Sequence, residues 1–363
     1  MASFKTFPTD PPLPRVRIVV GPTPAHALAT NGLIDRDLEL FIKREDLTGS
    51  VYGGNKVRNL EFILGDAIHQ GRTQVVTVGP RGSNFVAALA AHSAQNRLQV
   101  QVYQFTADQS EQMDLHDAFS KKAGASIHLS PGGRALGLAR ALLAATRHLA
   151  THRHDSYWIS PGGSNALGVV GHINTCYELS VQISEGEIPK PDLIVVGVGT
   201  CGTMAGLLAG MRLTGLDIPI VGVRCVDAVV CNTLRVAQLA NTALHLLQPN
   251  SEIRFSPYDV DLRDLQSPIR YGRPLEEALH LQTKMQDLHG IFLDTTYTSK
   301  VFLYLTQRAH EFRGKKVLYW NTFSPAAMNL DSKEHSTAQN KDVRMKPDFK
   351  SLASIPSIRQ EIS

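Results

Sequence analysis

Short apolar runs alternate with segments of helical period along most of the chain, and this alternation limits the possible folds more than any other feature. The runs predicted to be buried strands are 74–78, 98–105, 126–129, 193–197 and 218–223. The segments predicted to be helices are 85–95, 135–150, 204–213 and 228–244. Alternation of this kind is typical of parallel sheets with helices on both faces, so we expect an α/β fold.

The length and the loops indicate where a site would lie. A chain of 363 residues usually divides its core, so two domains around one cleft are expected. Ligands of such sheets bind beyond the carboxyl ends of the strands. The loops after Val78, Ile159 and Gly197 are rich in Gly, Ser, Thr or Asn and are the candidates for a ligand site.

The polar tail 331–363 is expected to be peripheral.

Composition limits the partners. The formal net charge is only +4, without a basic stripe interleaved with aromatic residues, so nucleic-acid binding is not expected. No run approaches the ~20 apolar residues that cross a bilayer, and the N-terminal segment lacks the apolar core of a secretory signal. The four cysteines form neither a CxxC pair nor a metal-binding spacing. We expect a cytoplasmic protein with no metal and no membrane partner.

A lysine follows two glycines at the start of a predicted helix, where residues 41–58 are FIKREDLTGSVYGGNKVR. Gly53 and Gly54 allow close approach of a ligand, and Asn55 is a good N-cap for a helix that begins at Lys56. The apolar stripe predicted for this helix is Val57, Leu60, Leu64, Ala67 and Ile68. The helix dipole disfavours a cation in the first turn, so a neutral amine or imine is better placed there. A solvated surface lysine is the alternative.

Two Gly-rich turns could bind anions. In VGPRGSN (78–84), Ser83, Asn84 and backbone amides at a helix start could bind a carboxylate or a ring oxygen, although an ordinary capped turn has the same residues. In VVGVGTCGTMAGL (195–207), converging amides, hydroxyls and a helix start favour a phosphate dianion. The same glycines satisfy GxGxxG, so a dinucleotide site remains a rival from these residues alone.

These segments together resemble the 1-aminocyclopropane-1-carboxylate deaminase and D-cysteine desulfhydrase family of pyridoxal 5'-phosphate (PLP) enzymes, of the tryptophan synthase β-like fold type II. KREDLTG and GGNKVRNLEF carry the resemblance, which extends over about residues 22–328. It implies that Lys56 carries PLP as a Schiff base. It also implies a larger PLP-binding domain of residues 1–57 plus 166–330, a smaller domain of residues 58–165 and a homodimer.

The resemblance implies roles around the cofactor. Ser83 would contact the substrate and Asn84 the phenolic oxygen of PLP, with Asn55 as a further cofactor contact. The family motif GxxQSNH has Gln and His where this chain has Gly82 and Phe85. The loop implied to hold the PLP phosphate is Gly199, Thr200, Cys201, Gly202 and Thr203, with Cys201 in place of a common glycine. The glycines of PGGSNALG (161–168) would lie beside the cofactor, or form a plain turn.

Two tyrosine segments, RYGRPLEE (270–277) and LDTTYTSK (293–300), match GYGxP and LDPxYxGK of the family. Isolated tyrosines are usually packing residues, but the resemblance implies that Tyr271 and Tyr297 act in proton transfer. Deaminases of the family have Glu after the second tyrosine and Leu in HLGG, whereas desulfhydrases have Ser or Thr and HTGG. Thr298 and Thr322 therefore favour elimination.

The segment WNTFS (320–324) departs from HTGG, because Phe323 and Ser324 replace the two glycines. Thr322 or Ser324 would face the pyridine nitrogen, and Phe323 would narrow the space over the ring. The expected function is α,β-elimination from a small amino acid, with D-cysteine as the lead substrate and with Thr298, Thr322 and Phe85 affecting specificity. Deamination of aminocyclopropane carboxylate, β-replacement and a catalytically inactive PLP-binding protein are the alternatives.

Overall fold

The structure, a computed structural model, describes residues 12–30, 33–34, 38–106, 110–267 and 271–328. The described residues form one compact unit. Arg270 and the tail 331–363, which sequence analysis considered, lie outside the described residues. Within the described part of the chain, no helix is long and apolar enough to cross a membrane.

Strands and helices alternate as the sequence indicated. The strands are β1 (Ala25–Ala27), β2 (Glu39–Arg44), β3 (Gln74–Pro80), β4 (Gln99–Phe105), β5 (Ser126–Ser130), β6 (Ser156–Ile159), β7 (Leu193–Val198), β8 (Ile220–Arg224), β9 (Asp261–Arg263) and β10 (Lys316–Asn321). The helices are α1 (Lys56–His69), α2 (Asn84–Gln95), α3 (Glu111–Lys122), α4 (Gly133–Thr151), α5 (Ala166–Ser184), α6 (Gly202–Leu213), α7 (Thr233–Leu247), α8 (Glu276–His289) and α9 (Thr298–Gln307).

The described strands form two sheets. One has six strands in the order β1-β2-β10-β7-β8-β9, and all its pairs are parallel except the antiparallel pair β1–β2. The other has four parallel strands in the order β5-β4-β3-β6. The predicted α/β fold with parallel sheets flanked by helices is therefore confirmed. The four-stranded sheet comes entirely from residues 74–159, but the exact domain boundaries stay predictions.

Strand β7 explains why the central strands have continuous apolar sequences. Ile194, Val195 and Val196 are fully buried. Ile194 and Val196 belong to one hydrophobic cluster, whereas Val195 belongs to another, because successive side chains point to opposite faces. A parallel strand that is covered on both faces needs apolar residues at every position.

Two details of the predicted helices were wrong. The helix predicted to begin at Ala228 begins at Thr233, because the Asn232 side chain accepts a hydrogen bond from the Arg235 amide at 2.9 Å and so caps the helix there. Val229, which precedes that cap, is 91% exposed. In α1 the predicted apolar stripe is buried except for Ile68, which is 41% exposed near the end of the helix.

A buried ion network connects β2, α1 and α5. Lys43 Nζ lies 2.6 Å from Glu178 Oε1, and Arg58 Nη2 lies 2.8 Å from Glu45 Oε1 and 2.9 Å from Glu178 Oε2. Burial opposes ionisation of Glu45, but the charges of Arg58 and Lys43 and the hydrogen bonds from Arg58 and Thr23 together outweigh it and lower the pKa of Glu45. Because a buried charge is costly without its partner, this network fixes the start of α1 against the six-stranded sheet.

Candidate active site

A cavity lies beyond the carboxyl ends of β7 and β10, where the sequence predicted a site. Its walls include residues 52–56 before and at the start of α1, the loop 197–204, and residues 322–324 after β10. Asn84, Asp294 and Tyr297 complete the lining. The space amounts to about 570 Å³ when the region open to solvent at its mouth is counted. Ligand sites of α/β sheets usually have this position.

Lys56 is the first residue of α1, as predicted, and its side chain lines the cavity. Burial lowers the pKa of Lys56 to about 8. Among the described residues, no carboxylate forms an ion pair with it. Gly54 has a φ of +90°, and a Cβ on Gly53 would clash with the Asp46 carbonyl oxygen. The two glycines therefore let the chain turn tightly before a lysine whose amine is partly neutral near pH 8.

Asn55 has a different structural role from the one predicted. Its backbone is already helical and its side chain makes no capping hydrogen bond. Instead, Asn55 Nδ2 donates to Thr203 Oγ1 at 2.7 Å, and the Asn55 amide donates to the Thr322 carbonyl at 3.1 Å. Asn55 thus connects the start of α1 to the loop that contains Thr203 and to the segment that contains Thr322, which form two other walls of the cavity.

The loop 199–203 leads directly into α6, whose first turn offers backbone N–H groups to the cavity. A Cβ on Gly199 would lie 2.9 Å from Tyr297 Cε1, and one on Gly202 would lie 2.7 Å from Ser164 Oγ. Cys201 is buried and has a φ of +72°, the left-handed conformation that favours glycine. A glycine at position 201 would adopt this conformation at little cost.

The segment 161–168 packs against this loop. Ser164 Oγ and Thr200 Oγ1 are hydrogen-bonded at 2.7 Å. Gly162 has a φ of +70°, and a Cβ there would clash with Thr200. The glycines of PGGSNALG therefore allow close packing against the loop 199–203.

Tyr271 and Tyr297 form an edge-to-face pair with ring centroids 6.1 Å apart. Their hydroxyls interact with each other, and that of Tyr271 also interacts with Ser83. Burial raises the pKa of Tyr271 to about 12 and the pKa of Tyr297 well above its ordinary value. Both phenols therefore stay protonated at neutral pH and can donate hydrogen bonds.

The structure divides the predicted residues between two spaces. Tyr297 and Asn84 line the Lys56 cavity, whereas Ser83, Phe85 and Tyr271 line a neighbouring chamber. Thr200 lines both spaces.

Asp294 is a site residue that sequence analysis missed, although it was visible in the quoted segment LDTTYTSK. Its carboxylate accepts the N–H groups of Thr296, Tyr297 and Thr298 at 3.1, 3.0 and 2.7 Å. Burial raises the pKa of Asp294. The carboxylate fixes the turn before α9 and thereby the backbone of Tyr297.

The predicted specificity residues differ in their positions. Thr298 does not line the Lys56 cavity, because its hydroxyl donates to Asp294 Oδ1 at 2.6 Å. Thr322 and Ser324 do line it. Ser324 Oγ accepts the Gly53 N–H at 3.0 Å and the Ala326 N–H at 3.3 Å, so its own hydrogen remains available to a ligand. Phe323 is buried and lies on the cavity wall, and its narrowing of the space over the ring stays a prediction.

These residues fit pyridoxal phosphate. The start of α6 would hold the phosphate. Gly199 lies beside this helix start, and there is no room for a side chain at position 199. The Lys56 amine, with its lowered pKa, suits bond formation with an aldehyde. Thr322 and Ser324 supply uncharged hydroxyl groups on the same cavity.

Comparisons with known proteins agree with this fit. Residues 16–322 match the family model described as pyridoxal-phosphate dependent enzyme. A putative 1-aminocyclopropane-1-carboxylate deaminase from Pyrococcus horikoshii is 31% identical over 323 residues, which are 88% of this chain and 94% of that protein. A D-cysteine desulfhydrase from Klebsiella pneumoniae is 30% identical over 303 residues, which are 79% of this chain and 86% of that protein.

Solved structures show the same relationship. The crystal structure of an ACC deaminase homologue superposes with a TM-score of 0.74 at 27% identity, covering 90% of this chain and 96% of that one. The structure of O-ureido-L-serine synthase shares the fold, with a TM-score of 0.61 at 16% identity. This match covers 85% of this chain and 90% of that one. The family match also replaces the dinucleotide interpretation of the loop after β7. This chain belongs to the pyridoxal-phosphate dependent enzyme family.

Proposed function

We propose that this protein catalyses α,β-elimination from a small amino acid, with D-cysteine giving pyruvate, ammonia and sulfide. The observation that carries the proposal is the shared cavity of Lys56, the loop 199–203 and Tyr297. The threonines at positions 298 and 322 favour elimination over deamination by their resemblance to desulfhydrases. A curated relative at 30% identity is named D-cysteine desulfhydrase.

The cofactor, when bound, withdraws electrons from the α-carbon of the attached amino acid and so makes its α-proton acidic. The loop 199–203 would hold the phosphate through backbone N–H groups and hydroxyls. Asn55 and Asn84 line the cavity and would contact the cofactor from the side of α1 and α2. Thr322 or Ser324 offers an uncharged hydroxyl to the ring nitrogen.

Lys56 accepts the α-proton. Its pKa is lowered to about 8 by burial, so a substantial fraction of the amine is neutral at mildly alkaline pH. A general base works best when its pKa lies near the working pH.

The two tyrosines and Ser83 act as donors rather than bases. The raised pKa values of Tyr271 and Tyr297 keep their protons in place, so either phenol can donate a hydrogen bond to the departing sulfur. The proton that the sulfur takes up comes from the Lys56 ammonium, which thereby returns to the neutral amine. Asp294 positions Tyr297 through the Tyr297 amide. One water is consumed when ammonia leaves, which balances cysteine plus water against pyruvate, ammonia and hydrogen sulfide.

The proposal also includes a cytoplasmic location, a homodimer and a division into domains of residues 1–57 plus 166–330 and residues 58–165. A homodimer gives a solution mass of twice 39.7 kDa, which light scattering measures.

The test is to incubate the purified holoenzyme with D-cysteine and to measure sulfide and pyruvate. Equal amounts of both products are expected, with none above background from Lys56→Ala. Lys190→Ala, at an exposed lysine, is the matched control and should behave as the unchanged protein. Absence of product above the Lys56→Ala level would reject D-cysteine as the substrate.

Deamination of 1-aminocyclopropane-1-carboxylate is a second candidate, because the Pyrococcus horikoshii relative at 31% identity and the solved homologue at 27% identity carry that name. Its products from this substrate are 2-oxobutanoate and ammonia. Formation of 2-oxobutanoate without turnover of D-cysteine would favour it. Mass spectrometry of the products formed from a panel of D- and L-amino acids distinguishes both activities from β-replacement, which forms a new amino acid rather than a 2-oxo acid. An inactive cofactor-binding protein would show a cofactor absorption band that no amino acid changes.

A further inference from the structure

A second chamber adjoins the Lys56 cavity and is about twice as large. It measures about 1140 Å³ against about 570 Å³, when the space at each mouth is counted. The apolar side chains on its wall include Val78, Phe85, Phe105, Leu138, Val226 and Val230. Such a surface suits an apolar ligand group.

The chamber and the cavity share parts of their walls. Thr200, in the proposed phosphate loop, lines both. Ser83 lines the chamber and its neighbour Asn84 lines the cavity. Tyr271 lines the chamber, and its partner in the edge-to-face pair, Tyr297, lines the cavity. The chamber is therefore placed to receive a group attached to a substrate whose α-carbon lies near Lys56.

The charged residues on the chamber are cationic. Arg134 pairs with Asp227 at 2.5 Å. Arg235 is half-buried, and within the described chain no ion pair of its guanidinium is found. A cationic side chain would be repelled by Arg235, whereas an uncharged apolar chain would bury its surface against the valines, the leucine and the phenylalanines.

We infer that the chamber binds the side chain of an amino acid that carries an extended, uncharged apolar β-substituent, such as an S-alkyl or S-aryl cysteine. The inference rests on the proposed elimination and enlarges its substrate class beyond cysteine. Lys56 removes the α-proton, the bond from the β-carbon to sulfur breaks, and the electron pair leaves with the thiolate. The thiolate then takes the proton that Lys56 holds, which returns the lysine to its neutral form. The overall reaction converts the S-substituted cysteine and one water into a thiol, pyruvate and ammonia.

The first test measures binding rather than turnover. The change in the cofactor absorption of the holoenzyme is titrated with S-methyl, S-ethyl, S-propyl and S-butyl cysteine, in both D and L forms. Burial of each added methylene is expected to tighten binding about fourfold in the favoured enantiomer. S-(2-aminoethyl)cysteine, close in size to the S-propyl compound but cationic, should bind more weakly than it.

The second test fills the chamber. Leu138→Trp places a larger ring on the wall, whereas Leu136→Trp changes a leucine of the same helix that is 51% exposed and serves as the matched control. Leu138→Trp should weaken binding of S-butyl cysteine at least tenfold more than binding of S-methyl cysteine. Leu136→Trp should bind every compound of the series with the same affinity as the unchanged protein.

The outcomes separate this inference from the proposed function. Tighter binding with length but no thiol or pyruvate from the S-substituted compounds or from D-cysteine would support the chamber and reject the elimination. Turnover of D-cysteine combined with affinity that falls with length would overturn the chamber assignment and leave the elimination standing. Equal effects of the two tryptophan variants would also overturn it, and so would failure of every S-substituted cysteine to change the cofactor absorption. If D-cysteine is not turned over either, both proposals are rejected.

Discussion

Lys56 and Arg58 lie two residues apart in the first turn of α1, yet their surroundings are opposite. Arg58 pairs with Glu45 and Glu178, and these charges strongly raise its pKa against the effect of burial. Lys56 faces the cavity, has no carboxylate partner among the described residues, and burial lowers its pKa to about 8. One short segment thus holds a structural cation and a chemically available amine.

The difference shows how the fold supports the site. The paired charges around Arg58 hold α1 in place, because each of these buried charges would lack a partner if another were removed. The region around Lys56 has two unfavourable features instead. The lysine amine is buried without a charged partner among the described residues, and the backbone of Cys201 is in the left-handed conformation. Functional sites commonly retain such strain while the surrounding structure compensates.

The largest expected effect on stability is at the ion network. Glu178→Ala leaves Lys43 and Arg58 buried without this partner and should lower the free energy of unfolding by about 3–5 kcal/mol. Urea denaturation measures the loss. Glu185→Ala, at an exposed residue just after α5, is the control and should change stability little. A loss below about 1 kcal/mol for Glu178→Ala would mean that the network does not hold α1 as described.

Asp294 should show a smaller loss of stability and a clear effect on catalysis. Asp294→Asn replaces an acceptor oxygen with a donor group and should cost about 1.5–3 kcal/mol, since hydrogen bonds to a charged group are lost. The turnover number should fall more than KM changes, because Tyr297 is displaced. Asp287→Asn, at an exposed position of α8, is the control. Unchanged turnover in Asp294→Asn would show that this carboxylate does not position Tyr297.

The titration of Lys56 gives a pH-dependent prediction for the cofactor-free protein. The pKa of Lys56 is 10.5 in the unfolded chain and about 8 in the folded one, so the unfolded state binds more protons between these values. Stability from this residue therefore rises with pH across that range. The free energy of unfolding should rise less with pH in Lys56→Met than in the unchanged protein. It should also rise less than in the control variant Lys190→Met. Equal slopes for all three proteins would contradict the lowered pKa.

Cys201 should give the smallest effect. Because its φ is +72°, Cys201→Gly should be more stable than Cys201→Ala by about 1 kcal/mol, since glycine adopts this conformation at little cost. Thermal unfolding of the two variants side by side measures the difference, and both lack the thiol. If the alanine variant were as stable as the glycine variant, the loop would not be strained at this position.

Local patterns predicted much of the fold and part of the candidate site. The start of α1 at Lys56, the strand β7 and the loop before α6 each depend on neighbouring residues and could be recognised from them. Long-range contacts could not. The hydrogen bond from Asn55 to Thr203 joins residues 148 positions apart, so the local sequence predicts a helix cap instead.

The same limitation explains what was missed around the cavity. Asp294 was not recognised because its role depends on burial and on backbone groups of a turn rather than on a spacing pattern. The chamber beside Phe85 is built from segments far apart in the sequence, including Leu138 and Val226, so no local motif signals it. The short strands β1 and β9 likewise depend on their neighbours in the sheet.

The most direct test of the account is to reduce the purified holoenzyme with borohydride and to map the cofactor-bearing peptide by mass spectrometry. The cofactor is expected on the ε-amine of Lys56 in the peptide that contains GGNK. The buried Lys43 and Lys300 should remain unmodified in the same sample. Attachment of the cofactor to any other lysine, or a protein that stays colourless after incubation with pyridoxal phosphate, would contradict the account.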